Sequence, residues 1–222
     1  LCITPHSPEP LATAPLPRES FLVGSFHPRA TLSAASPPSA EQAFTLMMAL
    51  ARKTPQAHAT IIEGRWDRKK FQGTEVFGKT LTVLGMGRIG AEFAKRAKAF
   101  GMRVVAYDPY LSKHRAESLG VELCEDLDAA VIQADFITMH MPMTPETKHM
   151  INAERLAKLK KGVRIINCAR GGLIDDNALA AALESGHVAG AALDVFEIEP
   201  PPVDYHPPSP GKCRHRYRRN DP

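Results

Sequence analysis

Three closely spaced glycines follow a short apolar run in the segment LTVLGMGRIGAEFAKRAKAF. Gly85 comes directly after the apolar residues, and Gly87 and Gly90 complete a G-x-G-x-x-G spacing. Apolar residues at helical spacing continue after Gly90, so we expect a strand, a tight turn and the start of a helix. Such a turn brings the backbone close to a phosphate group, to which the helix start presents free amides. The pattern favours an open sheet that binds a phosphorylated ligand.

An acidic residue ends the next apolar run. Asp108 follows the residues VVAY, eighteen positions after Gly90. At this place in a dinucleotide-binding unit, a carboxylate accepts hydrogen bonds from the adenosine ribose and repels a 2′-phosphate. The glycines and the acid together predict NAD as the cofactor, with Arg88 as a cation beside the pyrophosphate. The alternative is that the glycines only form a turn and that Asp108 only caps the following segment.

Apolar runs of strand length alternate with helical patterns in the middle of the chain. The predicted strands cover residues 80–84, 103–107, 121–123, 136–139, 164–167 and 189–193. The predicted helices cover residues 88–100, 113–119, 127–133, 153–159 and 177–185, and a longer helix over 39–64 is capped by Ser39 and broken near Pro55. Buried strands joined by crossover helices form a parallel, doubly wound sheet. We therefore predict an α/β fold of the Rossmann type.

The two ends of the chain differ in composition from its middle. Of 19 prolines, eight lie in residues 1–38 and seven in residues 200–222. We predict an unassigned Pro-rich flank over 1–38, an NAD-binding domain over 39–202 and a basic irregular tail over 203–222. Residues 211–222 of the tail account for the whole net charge of +4. Its segment KCRHRYRRN could bind phosphates, but it holds a single aromatic residue, so nucleic acid is not the predicted partner.

The cysteines and the hydropathy pattern exclude other classes of protein. The four cysteines show no metal-binding spacing and no paired framework, so we expect no metal site and a reduced, cytoplasmic setting. No run of about 18 apolar residues occurs, so no membrane span is expected. The first residues have neither a basic nor a continuous apolar region, so we expect no secretory signal.

Further polar residues follow the later predicted strands, at the edge where open parallel sheets bind their ligands. The segments HMPMTPET and NCARGGLIDDNAL follow the fourth and fifth strands. The planar guanidinium of Arg170 suits a substrate carboxylate, although an ordinary ion pair is an alternative. His140 also has a simpler interpretation, as a strand cap. The last strand is followed by three acids that could face a nicotinamide amide or orient a catalytic imidazole: Asp194, Glu197 and Glu199.

Five blocks of this sequence together resemble the cofactor domain of the D-isomer-specific 2-hydroxyacid dehydrogenases: GKTLTVLGMGRIG, VVAYDPY, DFITMHMPMTPET, GVRIINCARGGLIDDNAL and AGAALDVFEIEPPP. The resemblance covers about residues 39–202. Within the family, GRWDRKKFQGTEVFGKTL is most similar to the members that oxidise 3-phosphoglycerate at the start of serine synthesis. The resemblance implies hydride transfer from a C2 hydroxyl to NAD and a homodimer or homotetramer. A glyoxylate or hydroxypyruvate reductase and a non-catalytic NAD-binding dimerisation module remain alternatives.

The resemblance also implies roles for individual residues by matched position. The cofactor-binding candidates are Gly85, Gly87, Arg88, Ile89 and Gly90 at the pyrophosphate, Asp108 at the ribose, Met141 with the adjacent His140 on the adenosine side, Cys168, Ala169 and Arg170 along the nicotinamide, and Asp194 at its carboxamide. The catalytic candidates are Arg170, which would clamp the substrate carboxylate, and Glu199, which would partner the catalytic histidine.

Two features of the family are not recognised in the sequence. The family's catalytic histidine follows a proline downstream of the acid, whereas His206 and His215 lie in the Pro- and Arg-rich tail. Residues 1–38 are too short and too proline-rich to form a substrate domain. We therefore expect the chain as written to lack turnover, and we expect both ends to reflect a disrupted reading frame.

Overall fold

A computed structural model describes residues 38–199 of the chain, and the structural statements below concern these residues. The strands are β1 (Thr80–Leu84), β2 (Arg103–Tyr107), β3 (Glu122–Leu123), β4 (Phe136–Met139), β5 (Val163–Asn167) and β6 (Val188–Leu193). The helices are α1 (Pro38–Arg52), α2 (Thr54–Ile62), α3 (Arg88–Ala99), α4 (Lys113–Leu119), α5 (Leu127–Ile132), α6 (Ala153–Lys158) and α7 (Asp176–Glu184), with a 3₁₀ turn at Arg68–Phe71. The predicted flank except Pro38 and the whole predicted tail, with His206 and His215, lie outside the described residues.

The six strands form one sheet in the order β3-β2-β1-β4-β5-β6, and every neighbouring pair is parallel. Leu81 of β1 lies opposite Val104 of β2 on one side and Phe136 of β4 on the other. The strand order reverses at this central pair, so the connections that leave β1 and β4 diverge and open a crevice at the carboxyl ends of the strands. The topology confirms the predicted Rossmann-type sheet.

Apolar side chains cover both faces of the sheet. All five residues of β1 and all four of β4 are buried. One buried cluster packs around Phe93 and Phe136, and the other packs around Ile137 and Ile165. Phe136 and Ile137 are neighbours in β4, so the alternation along this strand supplies both clusters. The rigid centre of the sheet therefore fixes the loops at its carboxyl edge.

The predicted cap at Ser39 is wrong. Ser39 lies inside α1, which already includes Pro38. Proline suits the first turn of a helix because its missing amide hydrogen would have no intrahelical acceptor there. The predicted break is confirmed, and it lies at Lys53, whose backbone φ of 55° ends α1. Pro55 then occupies the first turn of α2.

Helix α1 belongs to the core of the domain. Its residues Ala43, Met47 and Ala51 are buried against the first apolar cluster, and the helix contacts α3, β5 and β6. Exposed apolar side chains appear instead at the end of α2, where Ile61 and Ile62 are about half exposed, and at Trp66, which is 74% exposed. These three exposed apolar residues thus lie after α1 in the chain and not on α1 itself.

Most element boundaries agree with the sequence predictions to within one residue. The third strand begins at Glu122, one residue after its predicted start at Val121. Gly120 has a left-handed φ of 63°, and the amide of Val121 donates to the carbonyl of Ala116. Val121 thereby completes the end of α4 and does not join the sheet ladder.

Residues 38–199 lack two features that mark other classes of protein. No helix in this part of the chain is long and apolar enough to cross a membrane. Within the same residues, no group of three or more histidine, cysteine, aspartate and glutamate side chains is arranged to hold a metal ion.

Candidate cofactor and active site

The glycine loop after β1 is closely packed at two of its three glycines. Gly85 has a φ of 93°, and a Cβ atom there would approach the carbonyl oxygen of His140 to 2.8 Å. A Cβ atom on Gly90 would overlap the carbonyl oxygen of Gly85. Gly87 differs, because a Cβ atom there would meet nothing within 4 Å. Gly85 therefore makes the turn, Gly90 lets α3 pack closely on it, and Gly87 leaves open space in front of it.

The start of α3 presents unpaired backbone donors to this space. Gly87 precedes the helix and has no side chain to accept its first amide hydrogens, and the first backbone bond runs from Ala91 to the Gly87 carbonyl. These amides and the helix dipole favour an anion. Arg88 is exposed at the same end, and Ile89 is half-buried. The arrangement fits a pyrophosphate group.

Asp108 joins the end of β2 to the glycine loop. One carboxylate oxygen accepts a hydrogen bond from the Met86 amide at 2.8 Å, and the other accepts one from the Tyr110 amide at 2.9 Å. Each oxygen keeps a further lone pair for a ligand hydroxyl. Asp108 also borders a cleft of about 440 Å³, which is lined in addition by Pro109, Leu111, Ser112, Lys113, Leu123 and Glu125.

The side chain of His140 points into the protein interior. Its ring packs 5.2 Å from the ring of Phe93, and its Nε2 is 3.0 Å from the hydroxyl of Thr138. Burial lowers the pKa of His140 to about 4, so the imidazole is neutral near pH 7. Only the backbone of His140 reaches the glycine loop. The adjacent Met141 places its side chain beside Gly85, where a Cβ atom would lie 3.1 Å from the Cβ of Met141.

A buried asparagine shapes the turn that carries Arg170. The side chain of Asn167 is almost completely buried, donates to the Arg170 carbonyl at 2.9 Å and accepts from the Ala169 amide at 3.0 Å. The guanidinium of Arg170 is exposed and donates to the Ala169 carbonyl at 2.6 Å. Asn167 was not among the residues predicted from the sequence. Its position at the end of a buried strand, four residues before a glycine pair, was the signal that could have indicated this role.

Cys168 and Asp194 lie at the ends of the neighbouring strands β5 and β6. The amide of Asp194 donates to the Asn167 carbonyl at 3.0 Å and so joins the two strand ends. Burial, with a smaller contribution from the charge of Asp194, raises the pKa of the Cys168 thiol to about 12. The thiol therefore stays protonated near pH 7 and is a poor nucleophile.

Arg170 and Glu199 border one cleft of about 480 Å³. The cleft is lined by Ala169, Arg170, Gly171, Val195, Phe196, Glu197 and Glu199. Glu199 accepts a hydrogen bond from the Phe196 amide at 3.0 Å. A side chain at Gly171 would overlap the Phe196 carbonyl oxygen, so a glycine is required for this close approach. The structure thus brings together the two residues predicted to be catalytic.

One pair beside this cleft was not predicted. The imidazole of His149, in the loop after β4, donates to the carboxylate of Glu197, in the loop after β6. The sequence separates the two residues by 48 positions and gives no spacing that would have paired them.

The glycine loop, the polar strand ends and the strand order together define a dinucleotide-binding domain. The family described as D-isomer specific 2-hydroxyacid dehydrogenase, NAD binding domain, matches residues 44–209. The chain belongs to this family, NAD is the cofactor of the domain, and a small hydroxyacid substrate fits the family.

The matching relatives are considerably longer than the match. The D-3-phosphoglycerate dehydrogenase of Methanocaldococcus jannaschii is 56% identical over 162 residues, which cover 73% of this chain and 31% of the relative. The enzyme of the same name from Rattus norvegicus is 53% identical over 163 residues, which cover 73% of this chain and 30% of the relative. The chain therefore spans about a third of the length of these curated relatives.

Solved structures of the family share the fold. A glyoxylate reductase from Paecilomyes thermophila is 37% identical with a TM-score of 0.72, and the match covers 80% of this chain and 55% of that one. The D-lactate dehydrogenase of Salmonella is 38% identical with a TM-score of 0.69, and the match covers 75% of this chain and 50% of that one.

Proposed function

We propose that this chain is the NAD-binding domain of a phosphoglycerate dehydrogenase, which oxidises 3-phosphoglycerate to 3-phosphohydroxypyruvate at the start of serine synthesis. The hydrogen bond between Asp108 and the Met86 amide carries the proposal, because it sets a carboxylate beside a helix start that lacks a side-chain cap. The identity of 56% and 53% to enzymes named D-3-phosphoglycerate dehydrogenase favours this substrate over glyoxylate, since the glyoxylate reductase is 37% identical.

The residues of the crevice suggest how the domain holds its cofactor. The amides at Arg88 and Ile89 bind the pyrophosphate, and Asp108 accepts hydrogen bonds from the ribose. Met141 contacts the adenosine side, while His140 contributes only its backbone because its ring is buried. Around the nicotinamide, the residues in contact are Cys168, Ala169 and Arg170, with Asp194 at the carboxamide. When bound, NAD supplies the acceptor for the hydride.

The cleft between Arg170 and Glu199 suits the substrate. The exposed guanidinium of Arg170 binds the carboxylate of the hydroxy acid through two parallel hydrogen bonds. In a complete enzyme of the family, Glu199 would orient the catalytic imidazole that takes the proton of the C2 hydroxyl and would raise the pKa of that imidazole. This histidine is not recognised in the present sequence. The turn made by Asn167 keeps Arg170 at the mouth of the cleft.

We also propose a homodimer or homotetramer in the cytoplasm. The exposed apolar side chains of Ile61, Ile62 and Trp66 form a surface that a second copy would cover. Light scattering of the purified chain tests this part of the proposal. A wild-type monomer would contradict it, and a shift to monomers in Trp66→Ser and Ile62→Ser would support this surface as the contact.

Titration with NADH, followed by nicotinamide fluorescence, tests the cofactor role, with Asp108→Ala as the matched variant. The same sample is assayed for NADH formation from 3-phosphoglycerate and for reduction of glyoxylate. Saturable binding that weakens in Asp108→Ala, without turnover, is the expected result for a cofactor domain in which no catalytic histidine is recognised. Turnover of 3-phosphoglycerate would contradict the expectation that the chain as written is inactive. A wild-type chain that fails to bind NADH would refute the proposal.

A further inference from the structure

The loop after β6, residues 195–199, carries Glu199 but has no strand or helix of its own. Its position depends on contacts with other parts of the chain. The carbonyl of Phe196 lies directly on Gly171, Glu197 accepts from His149 through its side chain, and the Glu197 amide donates to Asp176 at 3.4 Å. Within the loop, the amide of Phe196 donates to Glu199 at 3.0 Å. These contacts reach the loops after β4 and β5, so the ends of three strands meet at this segment.

His149 is well suited to link these loops. Its amide donates to the Gly172 carbonyl at 2.7 Å, so its backbone is fixed to the glycine pair that follows Arg170. Its side chain donates to Glu197. Among residues 38–199 only His149 and Lys53 are non-glycine residues with positive φ, and the φ of His149 is 49°. Side chains rarely adopt this conformation without supporting contacts.

We propose that His149 is a positioning residue that holds Glu199 and Arg170 in one cleft by fixing the loop 195–199 through Glu197. The backbone of His149 locates the loop after β5, and its imidazole locates the loop after β6. Glu199 follows Glu197 by two residues and is bound to the Phe196 amide, so a shift of Glu197 moves the Glu199 carboxylate. The inference rests on the proposed function only for the roles of Glu199 and Arg170.

The exposure of the pair separates positioning from general stabilisation. The side chains of His149 and Glu197 are 37% and 31% exposed, and pairs this accessible to water contribute little to global stability. The loop has no helix or strand of its own, so losing the contact between His149 and Glu197 favours local opening of residues 195–199. Removal of the pair is therefore expected to loosen the loop and to leave the unfolding midpoint almost unchanged.

Amide NMR of the full chain tests the link without any ligand. The variants are His149→Ala, Glu197→Ala, the double variant and His149→Gln, which restores a side-chain donor, with His114→Ala on the exposed side of α4 as the control. We expect hydrogen exchange of the Phe196 amide to rise about tenfold or more in each alanine variant. The double variant should match the single ones, because both remove the same contact. Exchange of the β1 amides should not change.

The pH titration of the Phe196 amide shift reports the position of Glu199. In the wild-type chain this shift should follow ionisation of Glu199, and Glu199→Gln should abolish that step. His149→Ala should reduce its amplitude, and His149→Gln should restore it. A role limited to stability would not alter this signal, because the domain stays folded in all variants.

Binding of oxamate, a small oxo-carboxylate analogue, to the NADH-loaded chain supplies the ligand readout. We expect His149→Ala to weaken oxamate binding about tenfold and to change NADH affinity less than about twofold, because the pair lies beside Arg170 and away from the glycine loop. Arg170→Ala should abolish oxamate binding. If His149→Ala weakened the binding of oxamate and of NADH equally, the positioning role of His149 would be overturned.

The possible outcomes separate the two proposals. Unchanged exchange and titration of the Phe196 amide in His149→Ala would overturn the inference. If these signals change as expected but the wild-type chain fails to bind NADH, the proposed function falls and the link between the loops stands. Failure of His149→Gln to restore the titration would show that a side-chain donor at position 149 does not hold the loop, and it would also overturn the inference.

Discussion

The carboxylate of Asp108 accepts a hydrogen bond from the Met86 amide at 2.8 Å, so the residue that ends β2 holds the glycine loop that follows β1. The same carboxylate accepts from Tyr110 through its second oxygen. Asp108 therefore orients the glycine loop. Under the proposed function, one substitution at this position affects the contacts of both the pyrophosphate and the ribose.

Asp108→Ala is expected to weaken NADH binding about 10- to 100-fold, the range for the loss of hydrogen bonds to a charged group. The measurement is a fluorescence titration at fixed salt concentration. Asp135→Ala is the matched control, because this carboxylate accepts from the Thr80 amide, also at 2.8 Å, at the amino end of β1. The control should lose stability but keep its NADH affinity within about twofold. Equal losses of affinity in the two variants would contradict a specific role for Asp108.

The charge of Asp108 is expected to exclude NADP. In Asp108→Asn the repulsion of a 2′-phosphate is removed while an acceptor oxygen remains. The ratio of the Kd for NADPH to the Kd for NADH should therefore fall about tenfold or more relative to the wild-type chain. Parallel titrations with the two reduced cofactors measure this ratio. An unchanged ratio would show that another group selects the cofactor.

Alanine substitutions at Gly87 and Gly90 are expected to affect different properties: NADH affinity at Gly87 and stability at Gly90. Gly87→Ala places a methyl group in open space, so stability should change by less than about 1 kcal/mol while NADH affinity falls about tenfold. Gly90→Ala drives a Cβ into the Gly85 carbonyl and should cost about 1–3 kcal/mol of stability. Urea unfolding and NADH titration of both variants check the pair of predictions. A strongly destabilised Gly87→Ala would argue against free space at this position.

The burial of His140 makes stability depend on pH. Its pKa falls from an ordinary 6.5 to about 4 in the folded protein, so the unfolded chain binds the extra proton first as pH decreases. Stability from this residue is fully present above about pH 6.5 and is lost as pH falls toward about 4. Between about pH 7 and about pH 5 the free energy of unfolding decreases by about 2 kcal/mol through this residue.

Urea unfolding of His140→Gln at the two pH values measures this contribution. The variant keeps a polar group for Thr138 but cannot titrate. Between about pH 7 and about pH 5, its free energy of unfolding should therefore decrease by about 2 kcal/mol less than that of the wild-type chain. His114→Gln, at an exposed position, should behave like the wild-type chain. Identical pH dependence in His140→Gln and the wild-type chain would contradict a buried neutral imidazole.

Cys168 is expected to resist alkylation in the folded chain. Its pKa of about 12 leaves a negligible thiolate fraction near pH 8, and the thiolate is the reactive form. Iodoacetamide labelling followed by mass spectrometry measures modification at each cysteine separately. Labelling of Cys168 in urea should be complete, because unfolding removes the burial. Rapid labelling of folded Cys168 would show that the thiol is ionised or exposed.

The fold was predictable because its signals are local. Apart from the two-residue β3, each strand is a mainly apolar run of appropriate length, and the turn at Gly85 needs a positive φ that only glycine adopts easily. The start of the short third strand was predicted one residue too early because valine, the residue at position 121, is common in strands. Its amide is used by the end of α4, which no local apolar pattern reveals.

The site was predictable where residues follow strand ends and less so where loops meet. Asp108 comes directly after β2, and Arg170 and Glu199 follow the ends of β5 and β6 by three and six residues. Their positions at one edge follow from a parallel sheet. The pairing of His149 with Glu197 depends on two irregular loops, so sequence spacing does not encode it. His140 was predicted at the correct edge, but the inward direction of its ring depends on Phe93 and Thr138.

The central strand pair is also the seam between two sequence halves. Residues 80–123 form β1 to β3, residues 136–193 form β4 to β6, and the halves join in the sheet through β1 and β4. Separation at this seam would divide the crevice, leaving Asp108 on one side and Arg170 on the other. A ligand that contacts both sides stabilises the joined state, by about 2.7 kcal/mol when its free concentration is about 100 times its Kd. The resistance of the domain to opening at this seam is therefore linked to the concentration of its ligand.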